Sequence, residues 1–290
     1  MKASINGTEI FFDVEGLQFV PDGPIKRERP VCFLIHGGPG LDHATYMPDV
    51  SPLADFMQLV YIDNRGSGRS GRPGKETYNL YQDIEDVEAL RKYLGLEKIV
   101  ILGHSYGGMV AAGYAAKYGE NLESVLLLGT SPVGSFWEDA RQELKNRGTE
   151  EQIAFGEYLF NGEFESDAQY VELFEKFYNL YGITRTAYTE ANRNGNNRMI
   201  VSSEVVNTSV NNGLREFDFI EDLKKTNVPA LVIGGRHDWI TPVKYSYMLA
   251  EAMPNSELII FENSGHSFFA DVPQETLAAI REFVEKHWNK

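Results

Sequence analysis

The sequence predicts an α/β fold in which helices flank a mostly parallel sheet and a helical cap is inserted into the chain. Short apolar runs, typical of buried strands, alternate with longer stretches of helical spacing, as a parallel sheet covered by helices requires. This alternation stops at about Val133 and resumes after Phe219. We therefore expect one sheet-based core interrupted by one insertion.

The predicted strands are apolar runs that mostly end near Gly, Asp or His. They cover residues 10–14, 31–35, 59–62, 99–102, 125–128, 230–234 and 258–261. Between the third and fourth runs, Ile84, Val87, Leu90 and Leu94 recur at intervals of three and four residues, which predicts a helix with one buried stripe that ends at Gly95.

The change in character defines the expected domain division. Residues 1–132 and 221–290 are predicted to form the core, and residues 133–220 the helical cap or lid. The cap segment is polar and aromatic, and its acidic side chains outnumber its basic ones. Its Tyr170, Phe174 and Phe177 have roughly helical spacing. Such a lid fits a cationic amino terminus beside an apolar group, and it equally fits an ordinary solvated lid.

Charge and hydropathy narrow the classes of partner. The formal net charge of −15 repels phosphate backbones and anionic membranes, and the sequence has no basic patch to offset it. The N-terminus lacks the apolar stretch of a secretory signal, and no later stretch has the length of a membrane span. We expect a cytoplasmic protein with a small-molecule or short-peptide substrate and with neither nucleic acid nor membrane as partner. The sequence leaves the oligomeric state open.

A candidate nucleophile lies between an apolar run and an Ala/Gly-rich helix. Residues 103–107 read GHSYG, a GxSxG motif in the strand–turn–helix context that gives the motif its meaning. The serine must lie on a sharp turn with its hydroxyl exposed, and the glycines let strand and helix pass closely. The sequence therefore predicts Ser105 as a nucleophile, with His104 in a packing role.

Two later strand ends supply a base and an acid in the chain order of this arrangement. Asp238 follows the run at 230–234, and His266 follows the run at 258–261. An imidazole can remove the serine proton, and a carboxylate fixes its tautomer and stabilises the imidazolium. We predict a Ser105–His266–Asp238 triad, although Asp238 also suits a turn. His43 and His287 are expected at the surface.

Three motifs together resemble one family. HGGPG at residues 36–40, DNRGSGRS at 63–70 and GHSYGG at 103–108 are similar to the proline iminopeptidase branch of the α/β-hydrolases. The resemblance implies the α/β-hydrolase fold, with an oxyanion hole formed by Gly38 and Tyr106. It also implies that Asp63 and Arg65 brace loops.

The same resemblance bears on the substrate. Family members that remove N-terminal proline hold the substrate ammonium with two glutamates, one in the cap and one directly after the triad aspartate. Here Trp239 follows Asp238, and Glu204 is the cap candidate. Trp239 would offer a ring face to a cation in place of a carboxylate. Glu204 and Trp239 are therefore the predicted substrate-binding residues.

The predicted function is that of a serine hydrolase acting through an acyl-enzyme on a small amide or ester. The resemblance implies a proline iminopeptidase-like aminopeptidase. The alternative is a carboxylesterase or lactonase with an apolar acyl pocket, and Trp239 in place of an acid favours it. The mechanism needs neither cofactor nor metal ion.

Overall fold

The computed structural model describes residues 1–196 and 198–288, and its centre is an eight-stranded, mostly parallel sheet. In chain order the strands are β1 (Lys2–Ile5), β2 (Thr8–Glu15), β3 (Phe19–Asp22), β4 (Ile25–Glu28), β5 (Val31–Ile35), β6 (Gln58–Ile62), β7 (Ile99–His104), β8 (Leu122–Leu128), β9 (Ala230–Gly235) and β10 (Ser256–Phe261). The sheet order is β1-β2-β6-β5-β7-β8-β9-β10, and β3 pairs only with β4. β2 runs antiparallel to β1 and β6, and all other pairs in the large sheet are parallel.

Helices cover both faces of the sheet. They are α1 (Met47–Val50), α2 (Leu80–Tyr93), α3 (Tyr106–Tyr118), α4 (Phe136–Arg147), α5 (Glu150–Asn161), α6 (Asp167–Lys176), α7 (Tyr178–Tyr181), α8 (Glu190–Asn196), α9 (Ser203–Val210), α10 (Ile220–Leu223), α11 (Lys244–Ala252), α12 (Phe268–Asp271) and α13 (Pro273–His287). Helices α2, α3 and α11 pack on one face, while α1 and α13 pack on the other. Within the described ranges, no helix is long and apolar enough to cross a bilayer.

The central strands are continuous apolar runs because both of their faces are buried. In β5, Phe33 and Ile35 pack into the cluster beneath α2 and α3, whereas Cys32 and Leu34 pack into the cluster beneath α13. Successive side chains of a strand point to opposite faces, so a strand between two helical layers needs apolar residues at every position. All seven predicted strands are present in the sheet.

Three strands were not predicted, because none of them forms an apolar run. β1 is an edge strand whose only buried side chain is Ala3, and its other positions face solvent or are half-buried. β3 and β4 form a hairpin with no buried residue. A strand that buries little has no hydrophobic signature, so pairing alone reveals it.

The predicted helix around Val87 is α2, and its ends follow standard capping chemistry. The side chain of Asn79 accepts a hydrogen bond from the backbone N–H of Gln82 at 3.0 Å, which caps the first turn. Beyond the last turn, Gly95 takes a left-handed conformation (φ +67°) that favours glycine. The helix therefore starts and ends at the residues that the sequence marks for this purpose.

The segment between β8 and β9 is helical, and its two ends are paired with each other where the segment joins the sheet. Val133 and Asp218 form an isolated antiparallel bridge, and the backbone N–H of Gly134 donates to the carbonyl of Phe217 at 2.7 Å. Helices α4 to α9 lie between these ends. We propose on this basis that residues 133–220 form a cap on a core of residues 1–132 and 221–290.

One histidine departs from the sequence expectation. His43 was predicted at the surface, but only 5% of it is exposed, and its Nδ1 lies 2.7 Å from Oδ1 of Asp63. The loop after β5 lies over the end of β6, where the buried carboxylate of Asp63 needs hydrogen-bond donors. A buried carboxylate requires such donors, and this requirement brings the imidazole inside.

Helix α3 passes so close to the sheet that two positions must be glycine. A side-chain carbon at Gly107 would overlap the carbonyl oxygen of Ile35, and one at Gly103 would overlap the carbonyl oxygen of Gly107. Backbone atoms of packed elements cannot give way as a flexible side chain does. The flanking glycines of the GxSxG motif are therefore required by packing.

Because α3 lies so close to the sheet, we expect a glycine-to-alanine change, which usually stabilises a helix, to destabilise this protein. Alanine is better than glycine in a helix by about 1 kcal/mol, yet Gly107→Ala should lower the free energy of unfolding by about 1–3 kcal/mol through overpacking. Urea denaturation checks this. Ala116→Gly, at a half-buried position of the same helix, should cost about 1 kcal/mol by propensity alone. A Gly107→Ala protein more stable than the parent would contradict the account.

Candidate active site

The site begins at a strained residue between β7 and α3. Ser105 has φ +57° and ψ −123°, and Asn6 is the only other non-glycine residue with positive φ in the described chain. Such a conformation costs about 1–3 kcal/mol and persists only when its surroundings enforce it. The Ser105 N–H donates to the carbonyl of Leu128 at 3.0 Å, and Thr130 Oγ1 donates to the Ser105 carbonyl at 2.7 Å. These bonds hold the turn that exposes the serine to the cavity.

His266 and Asp238 form a buried, hydrogen-bonded pair, and they follow the carboxyl ends of β10 and β9. His266 Nδ1 lies 2.7 Å from Asp238 Oδ2. Asp238 Oδ1 accepts from the backbone N–H groups of Ile240 and Thr241, each at 2.9 Å, and Oδ2 accepts from Thr241 Oγ1 at 2.8 Å. The Asp238 carboxylate accepts a hydrogen bond from Nδ1–H of His266, which leaves Nε2 free as an acceptor.

His104 packs against the loop that carries His266 and contacts its backbone. Its Nε2 lies 2.9 Å from the carbonyl oxygen of His266, and the two rings are 4.5 Å apart. Burial lowers the pKa of His104 to about 3, so the ring is neutral and its Nε2–H donates to that carbonyl. The geometry agrees with the packing role expected from the sequence, because the ring props up His266.

The loop after β5 faces the same cavity as Ser105. Gly38 has φ +121°, a conformation that favours glycine, and both Gly38 and Tyr106 line the cavity. Tyr106 is the first residue of α3, where backbone N–H groups are free of helical partners. His36 holds this loop: its Nδ1 donates to the Gly37 carbonyl at 2.7 Å.

The tautomer of His36 is fixed from its other side. The backbone N–H of Asn64 donates to His36 Nε2 at 3.0 Å, so Nε2 carries no proton and Nδ1 does. Burial lowers the pKa of His36, which keeps the ring neutral. The motif at residues 63–70 thus supports the loop at residues 36–40 through a single imidazole.

Asp63 and Arg65 brace loops. Asp63 Oδ1 accepts from the His43 backbone N–H at 2.9 Å, and its Oδ2 accepts from the Arg69 N–H at 2.8 Å. Burial alone would raise the pKa of Asp63, but the hydrogen bond from His43 and neighbouring charges hold it below the ordinary value. Arg65 forms a two-pronged contact with Asp86, at 2.7 and 2.6 Å. Neither Asp63 nor Arg65 lines the cavity.

The cavity lies between the sheet edge and the helices of residues 133–220. Its volume is about 490 Å³, at the small end of the range for ligand sites. Ser105 and His266 line it together. Its apolar and aromatic lining includes Met109, Phe136, Trp137, Leu159, Tyr170 and Leu173. A small substrate with an apolar part would be surrounded here.

The two predicted substrate contacts lie outside the lining of the cavity. Glu204 is exposed on the first turn of α9, and the buried side of that helix is formed by Val205 and Val206. Trp239 is fully buried, with its ring centroid 5.5 Å from that of Phe177. Neither Glu204 nor Trp239 lines the cavity.

The charged residues that line the cavity belong to no sequence motif. They are Asp49 in α1, Arg185 in the loop between α7 and α8, and Arg198 before α9. No local pattern marks these positions, since only the folding of the chain brings α1 close to the helical segment of residues 133–220. Sequence reasoning therefore missed them.

Asp83 is a further buried residue that the motifs did not reveal. Tyr106 Oη donates to Asp83 Oδ2 at 2.6 Å, while Asp83 Oδ1 is buried without a partner in the described protein. Burial raises the pKa of Asp83 to about 8. The carboxyl is therefore mostly protonated at neutral pH. It is hydrogen-bonded to Tyr106, the residue that follows Ser105.

This shift predicts how stability depends on pH. The folded state holds the Asp83 proton up to a pKa of about 8, whereas the unfolded chain releases it near 3.8. Asp83 therefore lowers stability progressively as pH rises between these values, by at most ~1.4 kcal/mol per pH unit. In Asp83→Asn, unfolding free energy should vary less from pH 5 to pH 8. An unchanged slope in urea denaturation would contradict the prediction.

Comparisons with known proteins bear on the fold and the family. Residues 30–273 match a family model described as alpha/beta hydrolase fold. A proline iminopeptidase, PfmaB, from Pestalotiopsis fici is 28% identical over 97% of this chain and 98% of its own. The proline iminopeptidase of Lactobacillus helveticus is 29% identical over 90% of this chain and 92% of its own.

Solved structures share the fold over nearly the whole chain. The proline iminopeptidase of Mycobacterium smegmatis superposes with a TM-score of 0.77 at 20% identity, over 99% of this chain and 98% of that one. An enol-lactonase from Burkholderia xenovorans superposes with a TM-score of 0.70 at 21% identity, over 98% and 100%. The match to the family model extends over most of the chain, and the chain belongs to the alpha/beta hydrolase fold family.

Proposed function

We propose that this protein is a serine hydrolase that cleaves a small amide or ester through an acyl-enzyme. Ser105 is the nucleophile, His266 the general base and Asp238 the acid that orients it. The observation that carries the proposal is the 2.7 Å contact between His266 Nδ1 and Asp238 Oδ2, together with the position of Ser105 and His266 in the lining of one cavity. An imidazole oriented by a carboxylate is what serine activation requires.

The first half of the reaction forms the acyl-enzyme. His266 Nε2 removes the Ser105 proton while Oγ attacks the substrate carbonyl, and the backbone N–H groups of Gly38 and Tyr106 stabilise the resulting oxyanion. The tetrahedral intermediate then collapses. The imidazolium returns its proton to the leaving amine or alcohol, which departs.

The second half restores the enzyme. Water loses a proton to His266 and attacks the acyl-enzyme carbonyl, and the same oxyanion donors stabilise the second intermediate. Collapse releases the acid and returns the proton to Ser105. Asp238 keeps His266 oriented in both halves, and its backbone donors and Thr241 hold the carboxylate in place.

For the substrate, the nearly full-length relatives named as proline iminopeptidases support an aminopeptidase acting on an N-terminal prolyl or similar residue. A short peptide and a cytoplasmic location belong to the same proposal. The second candidate is a carboxylesterase or lactonase. One observation favours it: neither Glu204 nor the residue after Asp238 brings a carboxylate into the cavity for a substrate ammonium.

The test combines labelling with paired kinetics. A fluorophosphonate probe should label the folded protein at Ser105, and Ser105→Ala should lower kcat/KM by at least roughly a thousandfold. Ser267→Ala is the matched control, since Ser267 lines the cavity outside the strained turn, and it should retain activity. Folded protein that the probe does not label would contradict the proposal.

The same assay separates the two candidates. Hydrolysis of proline p-nitroanilide supports the aminopeptidase. Turnover of p-nitrophenyl butyrate without cleavage of the anilide would exclude it and favour the esterase. Both activities should be lost in Ser105→Ala, because one nucleophile serves both.

A further inference from the structure

The charged side chains that line the cavity are mostly basic, whereas the whole protein is acidic. The chain has a formal net charge of −15, and acidic side chains outnumber basic ones in the cap segment. Of the described residues that line the cavity, Asp49 is the one carboxylate, and Arg185 and Arg198 are both guanidinium groups. His104 adds no charge, because burial lowers its pKa to about 3. The cavity thus concentrates positive charge in an acidic protein.

Arg185 lies in a loop that is tied to the loop of the proposed catalytic base. The link is the carboxylate of Asp271. Its Oδ2 accepts from the backbone N–H of Ile183 at 3.1 Å and from that of Gly265 at 2.9 Å. Its Oδ1 accepts from the N–H of Thr184 at 2.9 Å. Because Gly265 directly precedes the base, one side chain sets the position of Arg185 relative to the reacting groups.

The guanidinium of Arg185 lies against an aromatic ring and has a donor without a partner. Its Cζ lies over the ring of Tyr178, 4.9 Å from the ring centroid. This cation–π contact attracts the charge and supplies no hydrogen-bond acceptor of the carboxylate kind. The Nε of Arg185 is buried and bonds to no described atom of the protein. No described carboxylate lies within 4.0 Å of Arg185.

Asp49 does not pair with this group. No salt bridge within 4.0 Å joins the two among the described residues. Burial raises the pKa of Asp49, and the charge of Arg185 lowers it only in part. Because the carboxylate and the guanidinium are not in contact, the N–H groups of Arg185 stay open to a substrate.

We propose that Arg185 is a specificity-determining residue that binds a carboxylate of the substrate. The planar fork of a guanidinium matches a carboxylate, and the buried Nε–H gains a charge-assisted partner. The substrate class is an amide or ester with a second, anionic group, on either the acyl or the leaving side. In a dipeptide this group is the C-terminal carboxylate. The inference rests on the proposed function, in which Ser105 attacks the scissile carbonyl.

Matched substrate pairs test the proposal. On the acyl side, mono-p-nitrophenyl adipate is compared with p-nitrophenyl hexanoate. On the leaving side, prolylglycine is compared with prolylglycinamide. The protein should prefer the anionic member of one pair, and Arg185→Gln should reduce that preference in kcat/KM roughly ten- to a hundredfold. Turnover of the neutral member should change by less than about twofold. The affected pair identifies the side that carries the carboxylate.

Two variants separate recognition from general effects. Arg185→Lys keeps the charge but loses the fork, so it should retain part of the preference. Arg193→Gln removes the same charge from the same part of the chain, where Arg193 pairs with Glu175 at 3.0 Å outside the cavity, and it should change nothing. An equal loss in Arg193→Gln, or an equal loss for charged and neutral substrates in Arg185→Gln, would overturn the proposal.

A binding experiment keeps the test independent of turnover. In Ser105→Ala protein, calorimetry should show tighter binding of 4-phenylbutyrate than of 4-phenylbutyramide, and adding Arg185→Gln should abolish the difference. Equal binding of the two ligands overturns the carboxylate subsite even if Ser105 proves catalytic. Failure of Ser105 to react with a fluorophosphonate overturns the proposed function instead, and the calorimetric result still decides the role of Arg185.

Discussion

Helix α3 lies so close to the sheet that no side chain fits at Gly103 or Gly107. The chain has to leave β7 and enter α3 within one residue, and Ser105 absorbs the change of direction at φ +57°. The strain is held by the backbone bond to Leu128 and by the side chain of Thr130. Packing of the core thus presents a hydroxyl at the carboxyl edge of the sheet, where ligands bind in open α/β folds.

Hydrogen bonds to charged and neutral groups then define the chemistry of that edge. Asp238 accepts hydrogen bonds from two backbone N–H groups, and its contact with His266 Nδ1 fixes the tautomer of that imidazole. The imidazoles behind the site, His36 and His104, have lowered pKa values and act as neutral props. The Asp238–His266 pair therefore lies among neutral imidazoles, which suits a base that must gain and lose a single proton.

In the proposed function, the cavity above this edge adds selectivity that the proposed triad itself lacks. Its lining is mostly apolar, and its charged groups come from α1 and from the loop before α8. Asp271 joins the loop of Arg185 to the loop that bears the base. The proposed recognition of a carboxylate and the proposed chemistry thus share one support, so the substrate is held in register with the reacting serine.

The sequence predicted those parts of the molecule that have a local signature. Central strands such as β5 are buried on both faces and read as apolar runs, whereas the edge strand β1 buries little and gave no signal. Ser105 was predicted because its turn demands glycines at fixed spacing. Asp83 and Asp271 were missed because their roles depend on contacts between distant segments. Glu204 was inferred by resemblance alone, and in this chain its helix turns it to solvent.

The proposed role of Ser105 is tested most directly by a crystal structure of the protein after reaction with a fluorophosphonate. Phosphorus should be bonded to Ser105 Oγ, with the phosphoryl oxygen about 2.7–3.1 Å from the backbone nitrogens of Gly38 and Tyr106. His266 should retain its contact with Asp238. An adduct on another residue, or a phosphoryl oxygen directed away from both backbone N–H groups, would contradict it.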